Sequence, residues 1–333
     1  MVYHLVAFVV VAIWGSTFVF TKMLLQAGLS PAQIFTLRFI IAYVLLVAYQ
    51  FLSRTSHNSR TSHLAPRTSH DSHTSLLCKS WRDELLMVVL GITGGSVYFL
   101  AENAAMLYTT ATNTSLIVCS CPLFAMLLVA LFYRHSEPIR RTQVLGSVIA
   151  CIGMAVVVLN GHFVLHLSPR GDLLAFGACL CWALYSLLMK PALERYSTVF
   201  ITRKVFFYGL LTMIPYYILN PAEAAPFLSR SALSSVLFPL NSNLSPLSSL
   251  FSPLSNILFL GIVASLICFL VWNWVIRRLG PVVATNWVYV NPLTTIVFAW
   301  WLLNEHITPW LLLGTVLILL GMFLADRPVS RAK

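Results

Sequence analysis

The sequence predicts an all-α integral membrane protein with about ten transmembrane helices, arranged as two inverted-topology repeats of five helices each. Three observations lead there. Hydrophobic residues make up 59% of the 333-residue chain and charged residues only 9%, with a mean hydropathy of +0.84. A water-soluble domain of this size needs far more polar surface. Apolar runs long enough to span a bilayer core recur along the whole chain, and the second half repeats residues of the first in the same order.

Hydrocarbon offers no partners to backbone N–H and C=O groups, so such runs must satisfy themselves as helices. A β-barrel would show short alternating segments, which are absent here. The runs fall near 3–24, 32–52, 84–104, 113–133, 142–160, 172–190, 201–219, 256–277, 282–303 and 309–325. The first sits where a signal peptide would. It lacks a basic leading region, however, and its sequence recurs mid-chain, so it reads as a retained helix.

The formal net charge is +11, which at first points to nucleic acid. The distribution points elsewhere. With the N-terminus in the cytoplasm, the basic residues gather in cytoplasmic segments. These are Arg54 to Arg82 after the second run, Arg134 to Arg141 after the fourth, Lys190 to Lys204 after the sixth, Arg277 and Arg278 after the eighth, and the tail. External loops hold Arg170 and Arg230. This is the positive-inside pattern. It predicts a multi-pass protein of the cell (inner) membrane with both termini cytoplasmic, and it excludes a nucleic-acid partner. Cys119 with Cys121, and Cys179 with Cys181, lie two apart on helices and point to different faces, a poor metal geometry. No metal and no cofactor are expected.

The duplication is specific. Trp14 pairs with Trp182 and Lys22 with Lys190, an offset of 168. Leu90-Gly91-Ile92 pairs with Leu260-Gly261-Ile262, Asn103 with Asn273 and Pro122-Leu123 with Pro292-Leu293, an offset of 170. Gly146 and Gly153 pair with Gly314 and Gly321. Five spans per half is an odd number, so the second half enters the membrane in the opposite direction, about a pseudo-two-fold axis in the membrane plane. Halves related in this way can swap conformations and open a central site to either side. That favours transport over catalysis or reception. An integral-membrane enzyme would need paired catalytic groups such as a His-Glu metal motif. The spans hold none, and His4 and His306 sit at span ends.

Several strings carry a resemblance. They are Trp14-Gly15-Ser16-Thr17-Phe18, Ser30-Pro31 followed by Arg38-Phe39, Leu107-Tyr108-Thr109-Thr110 through Pro122-Leu123-Phe124, and Gly280-Pro281 through Asn291-Pro292-Leu293 to Asn304-Glu305. The chain resembles the EamA-type branch of the drug/metabolite transporter superfamily. The resemblance implies a first repeat at 1–161 and a second at 171–326, surrounding a central cavity. It implies export of a small metabolite such as an amino acid, with no enzymatic activity. The family often ends its fourth and ninth spans with Gly-Glu; here the ninth ends Asn304-Glu305, and the matching position of the fourth is His135. Glu305 precedes Thr308-Pro309, which suits a helix-terminal role.

Two long loops interrupt the pattern. Cytoplasmic residues 53–82 repeat Arg-Thr-Ser-His at 54–57, 60–63 and 67–70 and read as a disordered linker. External residues 220–255 are rich in Ser, Pro and Leu and read as irregular.

An ionised group near the bilayer centre costs about 2.5–3.5 kcal/mol on insertion scales, so intramembrane charges are functional candidates. Lys22, Arg38 and Glu102 are expected together in the outer part of the membrane, and Glu102 breaks the repeat because its counterpart is Trp272. Trp14, Thr17, Trp182 and Tyr185 fall at matched positions in spans one and six. Asn103 and Asn273 carry amides that need partners in lipid. Trp287 and Asn291 lie just before Pro292, whose ring breaks the helix and frees a carbonyl. These eleven residues are the candidate substrate site. Aromatic walls with a few polar groups suit a small amphipathic metabolite, and protons are the candidate coupling ion. The alternative within the same fold is a sugar-phosphate or nucleotide-sugar exchanger, which would need a basic cavity built from Lys22, Arg38, Lys190 and Lys204. A monomer or a homodimer fits the sequence.

Overall fold

Among the described residues, six helices are long and apolar enough to cross a membrane: Val2–Gln26, Pro31–Leu52, Trp81–Tyr108, Ala111–Leu128, Pro169–Arg195 and Pro253–Leu279. Pro309–Gly321 is a shorter apolar helix. The computed structural model describes residues 2–58, 77–132, 141–159, 168–228 and 252–325, and the described residues contain no strand. The elements are α1 (Val2–Gln26), α2 (Pro31–Asn58), α3 (Trp81–Gly91), α4 (Val97–Tyr108), α5 (Ala111–Val118), α6 (Cys121–Phe132), α7 (Arg141–Leu159) and α8 (Pro169–Arg195). They continue with α9 (Thr198–Leu211), α10 (Ile214–Leu219), α11 (Pro221–Leu228), α12 (Pro253–Leu258), α13 (Cys268–Leu279), α14 (Pro281–Asn286), α15 (Asn291–Leu303) and α16 (Pro309–Ala325). Among the described residues, helical segments fall within each stretch that hydropathy marks out.

The interruptions fall at related places. A π segment, Ile92–Ser96, joins α3 to α4, and a second, Phe259–Ile267, joins α12 to α13. Such widened turns leave carbonyls free for other partners. The fourth run breaks at Cys119-Ser120, just before Pro122. The ninth passes through a 3₁₀ turn, Trp287–Val290, just before Pro292. In both, the missing proline N–H and the ring end the preceding helical ladder.

Packing places α7 against α16, α4 against α8, α1 against α15, α2 against the second π segment, and α9 against α3 and the first π segment. Small residues permit the approach. A Cβ on Gly153 would lie 2.7 Å from the Gly314 carbonyl oxygen, and one on Gly321 would lie 2.4 Å from the Gly146 carbonyl oxygen. A Cβ on Gly91 would meet Gly209 N at 2.9 Å, and one on Gly261 would meet Ile41 Cβ at 3.0 Å.

The loops differ from expectation at their edges. Helix α2 runs to Asn58, so the first Arg-Thr-Ser-His is helical. Helix α3 begins at Trp81, where the Ser80 side chain accepts from Arg82 N. The later Arg-Thr-Ser-His copies and His73 lie outside the described residues, as does His135. In 220–255, Pro221 opens α11, and Ser252 caps α12, which opens on Pro253. Asparagine or serine followed by proline is a helix-start signal, so Asn220-Pro221 and Ser252-Pro253 encode two helix beginnings within composition that reads as irregular. Residues 229–251 lie outside the described residues.

Candidate functional site

Trp14 sits mid-way along α1, and its Nε1 donates to the Ala264 carbonyl (2.9 Å) inside the second π segment. Its ring meets Trp182 of α8 edge-on at 5.5 Å, and Phe269 of α13 at 5.8 Å. Tyr98 lies 5.1 Å from Trp182 and 4.7 Å from Phe99. These rings wall a small cavity of about 30 Å³. Thr17, Arg38, Glu102 and Asn291 supply its polar lining, and Phe18, Val118, Cys121 and Val288 complete it. Every lining residue is buried, none more than 8% exposed.

Arg38 lies on α2 and is 2% exposed. Its Nε donates to Ser265 Oγ (2.9 Å), again in the second π segment. Its guanidinium stacks over Phe99, 4.4 Å from the ring centroid, a cation–π contact that partly replaces lost hydration. The bond to Ser265 is the one hydrogen bond of Arg38 among the described residues. Glu102 lies on α4, where Tyr98, one turn earlier, donates to its Oε1 (2.9 Å). The ion pairs among the described residues are Arg195 with Asp83 and Lys204 with Glu84; neither Arg38 nor Glu102 is in one. The lining therefore holds a guanidinium and a carboxyl group with no direct bond between them.

Of the expected site residues, Trp14, Thr17, Arg38, Glu102, Trp182 and Asn291 come together on this lining. The other five lie apart from it. Lys22 donates to the Met106 and Thr109 carbonyls, satisfying the otherwise unpaired C-terminal end of α4. Asn103 donates to the Pro31 carbonyl (3.1 Å). Tyr185 donates to Asn273 Oδ1 (3.2 Å), and Asn273 Nδ2 donates to Thr202 Oγ1 (2.8 Å). Trp287 donates to His4 Nδ1 (3.3 Å) at the start of α1. The sequence reading passed over Tyr98, Phe99 and Phe269. Phe99 and Phe269 share the offset of 170 that relates Asn103 to Asn273, and Tyr98 stands four residues before Glu102, so the signals were present.

Glu305 is helix-terminal twice over: its backbone N donates to the Ala299 carbonyl (3.1 Å) at the end of α15, and its side chain serves a distant helix. Its carboxylate accepts from Ala111 N (3.1 Å) and from the Thr112 hydroxyl (2.5 Å), capping α5. Thr308 itself accepts from Leu311 N (3.2 Å) at the start of α16.

A helical multi-pass membrane protein with a buried, charged cavity between its helices has the form of a solute carrier. The chain belongs to the EamA-like transporter family, which it matches over residues 1–159 and 169–325. It is similar to an uncharacterized transporter of Archaeoglobus fulgidus, 24% identical over 323 residues and 96% of each chain. It is also similar to a probable terminal-alkyne amino-acid exporter of Streptantibioticus cattleyicolor, 26% identical over 246 residues and 74% of each chain. A solved crystal structure shares the fold at a TM-score of 0.58 and 20% identity, over 97% of this chain and 96% of the other.

Proposed function

We propose that the chain is a secondary transporter that exports a small zwitterionic metabolite, an amino acid or a related compound, through a cavity between two inverted five-helix repeats at 1–161 and 171–326. One observation carries the cargo assignment: Arg38 and Glu102 are buried on one aromatic-walled cavity, and neither is in an ion pair. A buried charge is stable only when it is compensated. A zwitterion brings a carboxylate for Arg38 and an ammonium for Glu102, and compensates both. The same carboxylate can hold a proton in place of the ammonium, which couples export to an inward proton gradient.

The repeat reading is supported by packing. The offsets that pair the halves also exchange the α4–α8 contact with α13–α1, and the contact of α2 and the second π segment with that of α9 and the first. The lining pairs in the same way: Trp14 with Trp182, Phe99 with Phe269, Val118 with Val288. The sugar-phosphate reading loses its basic cluster. Lys22 caps α4, Lys204 is paired with Glu84, and Arg38 is the sole cation among the lining residues, which also include Glu102.

In proteoliposomes, efflux of radiolabelled amino acids is expected to rise with a pH gradient and to be lost in Arg38→Gln. Glu102→Gln is expected to weaken binding and to abolish the gradient response. Normal transport by Glu102→Gln, with unchanged pH dependence, would sink the coupling assignment. For orientation, with both termini cytoplasmic, a cysteine replacing exposed Ala222 is expected to react with an impermeant maleimide from outside the cell, and one replacing exposed Glu194 is not.

A further inference from the structure

The charges of the proposed site come from α2 and α4. α8 and α15 supply further lining, and there two polar atoms stand without a partner: Trp182 Nε1 and Asn291 Oδ1. Both side chains are 5% exposed, and both line the cavity. The first can only donate and the second can only accept. Buried polar groups are almost always hydrogen-bonded, and an orphan calls for a specific explanation. Two further buried orphans, Asn103 Oδ1 and Trp272 Nε1, belong to side chains off the lining, so the ligand argument applies to Trp182 and Asn291.

An aliphatic or phenyl side chain on the cargo would leave both atoms unsatisfied. A group that presents an acceptor to Trp182 and a donor to Asn291 completes them. The neighbouring surfaces are rings, with Trp14 at 5.5 Å and Tyr98 at 5.1 Å from Trp182, and flat groups pack best between rings. We infer that the cargo is an amino acid whose side chain ends in a planar group bearing both a hydrogen-bond donor and an acceptor: a carboxamide, a ureido group or an N-heteroaromatic ring. This rests on the zwitterion reading above and specifies the part of the molecule that Arg38 and Glu102 do not hold.

The test titrates the purified full chain in detergent by calorimetry. One set of ligands is L-glutamine, L-citrulline and L-histidine; the shape-matched set is L-methionine, L-norleucine and L-phenylalanine. A site built to hydrogen-bond a group discriminates strongly against analogues that lack it. The first set is expected to bind about tenfold tighter or more, and Trp182→Phe and Asn291→Leu are each expected to bring that ratio toward one. Trp182→Phe keeps an aromatic ring, so its readout stands even where Asn291→Leu fails to fold. Equal or tighter binding of the apolar set, still abolished by Arg38→Gln, overturns the inference and leaves the zwitterion reading intact. A preference that both variants leave unchanged also overturns it. Absence of binding by every ligand in both sets overturns the zwitterion reading together with the inference.

Discussion

Arg38 is held by geometry as well as charge. Its Nε reaches Ser265, and its plane covers Phe99. A lysine would keep the charge but offers a point donor in place of a planar fork. Arg38→Lys is therefore expected to weaken amino-acid binding about tenfold or more, approaching Arg38→Gln. Wild-type affinity in Arg38→Lys would reduce the residue to a point charge. Glu305 gives a second test. Removing an N-terminal cap costs about 0.5–2 kcal/mol, so Glu305→Ala is expected to lower the melting temperature, although its carboxylate does not line the cavity. Unchanged melting would mean that the Thr110 side chain, which accepts from Asn113 N (3.0 Å), caps α5 sufficiently by itself. The sequence made Arg38, Glu102, Trp14 and Trp182 visible because charge and large rings in lipid demand a reason. It did not separate them from Lys22 or Asn273. Hydropathy says that an amide or ammonium must find a partner, and here those partners are Thr202 and the α4 carbonyls, which only folding brings near. Glu305 was obscure for the same cause, since its partners lie 193 and 194 residues away in sequence.

At the scale of elements, the helices were legible because lipid permits the backbone little else, and the breaks at Pro122 and Pro292 were legible from proline chemistry. The π segments were not. Phe259–Ile267 contains neither proline nor a run of glycines, and its wide turns are held from outside, by Trp14 on the Ala264 carbonyl and Arg38 on Ser265. The α7–α16 pair shows how closely the elements fit. A methyl on Gly321 would meet backbone atoms, the Gly146 carbonyl oxygen at 2.4 Å and Ala150 N at 2.6 Å, which cannot rotate away. Gly321→Ala is expected to destabilise by about 1–3 kcal/mol, the usual cost of overpacking. Gly177, on α8, has no heavy atom within 4 Å of its would-be Cβ. Gly177→Ala is expected to be neutral or to stabilise by up to about 1 kcal/mol, from helix propensity alone. Paired melting curves in detergent check both. Equal effects would mean that the interhelical contact is looser than its geometry.

Across the whole molecule, the cavity lies between two sets of polar contacts, at opposite membrane faces in the proposed orientation. On the outer side, Glu305 holds α5, Asn113 donates to Asp172 (2.8 Å), and Glu223 accepts from Ser30 (2.6 Å). On the inner side, Glu84 accepts from Lys204 and Tyr208, while Asp83 accepts from Arg195 (2.5 Å) and Tyr196 (2.8 Å). Both sets are formed, and the lining residues are buried, which on the proposed alternating-access reading corresponds to an occluded state. If the halves exchange conformations, each set must open in turn, and each stabilises the state closed on its own side. Hydrogen bonds to charged groups contribute about 1.5–3 kcal/mol, and a shift of about 1.4 kcal/mol changes a population ratio tenfold. Loosening one set should therefore expose the cavity to that side. With a cysteine replacing Thr17 as a reporter, in a chain freed of its native cysteines, Glu84→Gln is expected to speed labelling by an impermeant maleimide from the cytoplasmic face. Glu305→Gln is expected to speed it from the external face. Opposite responses would fit a two-gated carrier. Acceleration from the same face in both variants, or in neither, would mean that these contacts brace the structure without gating it.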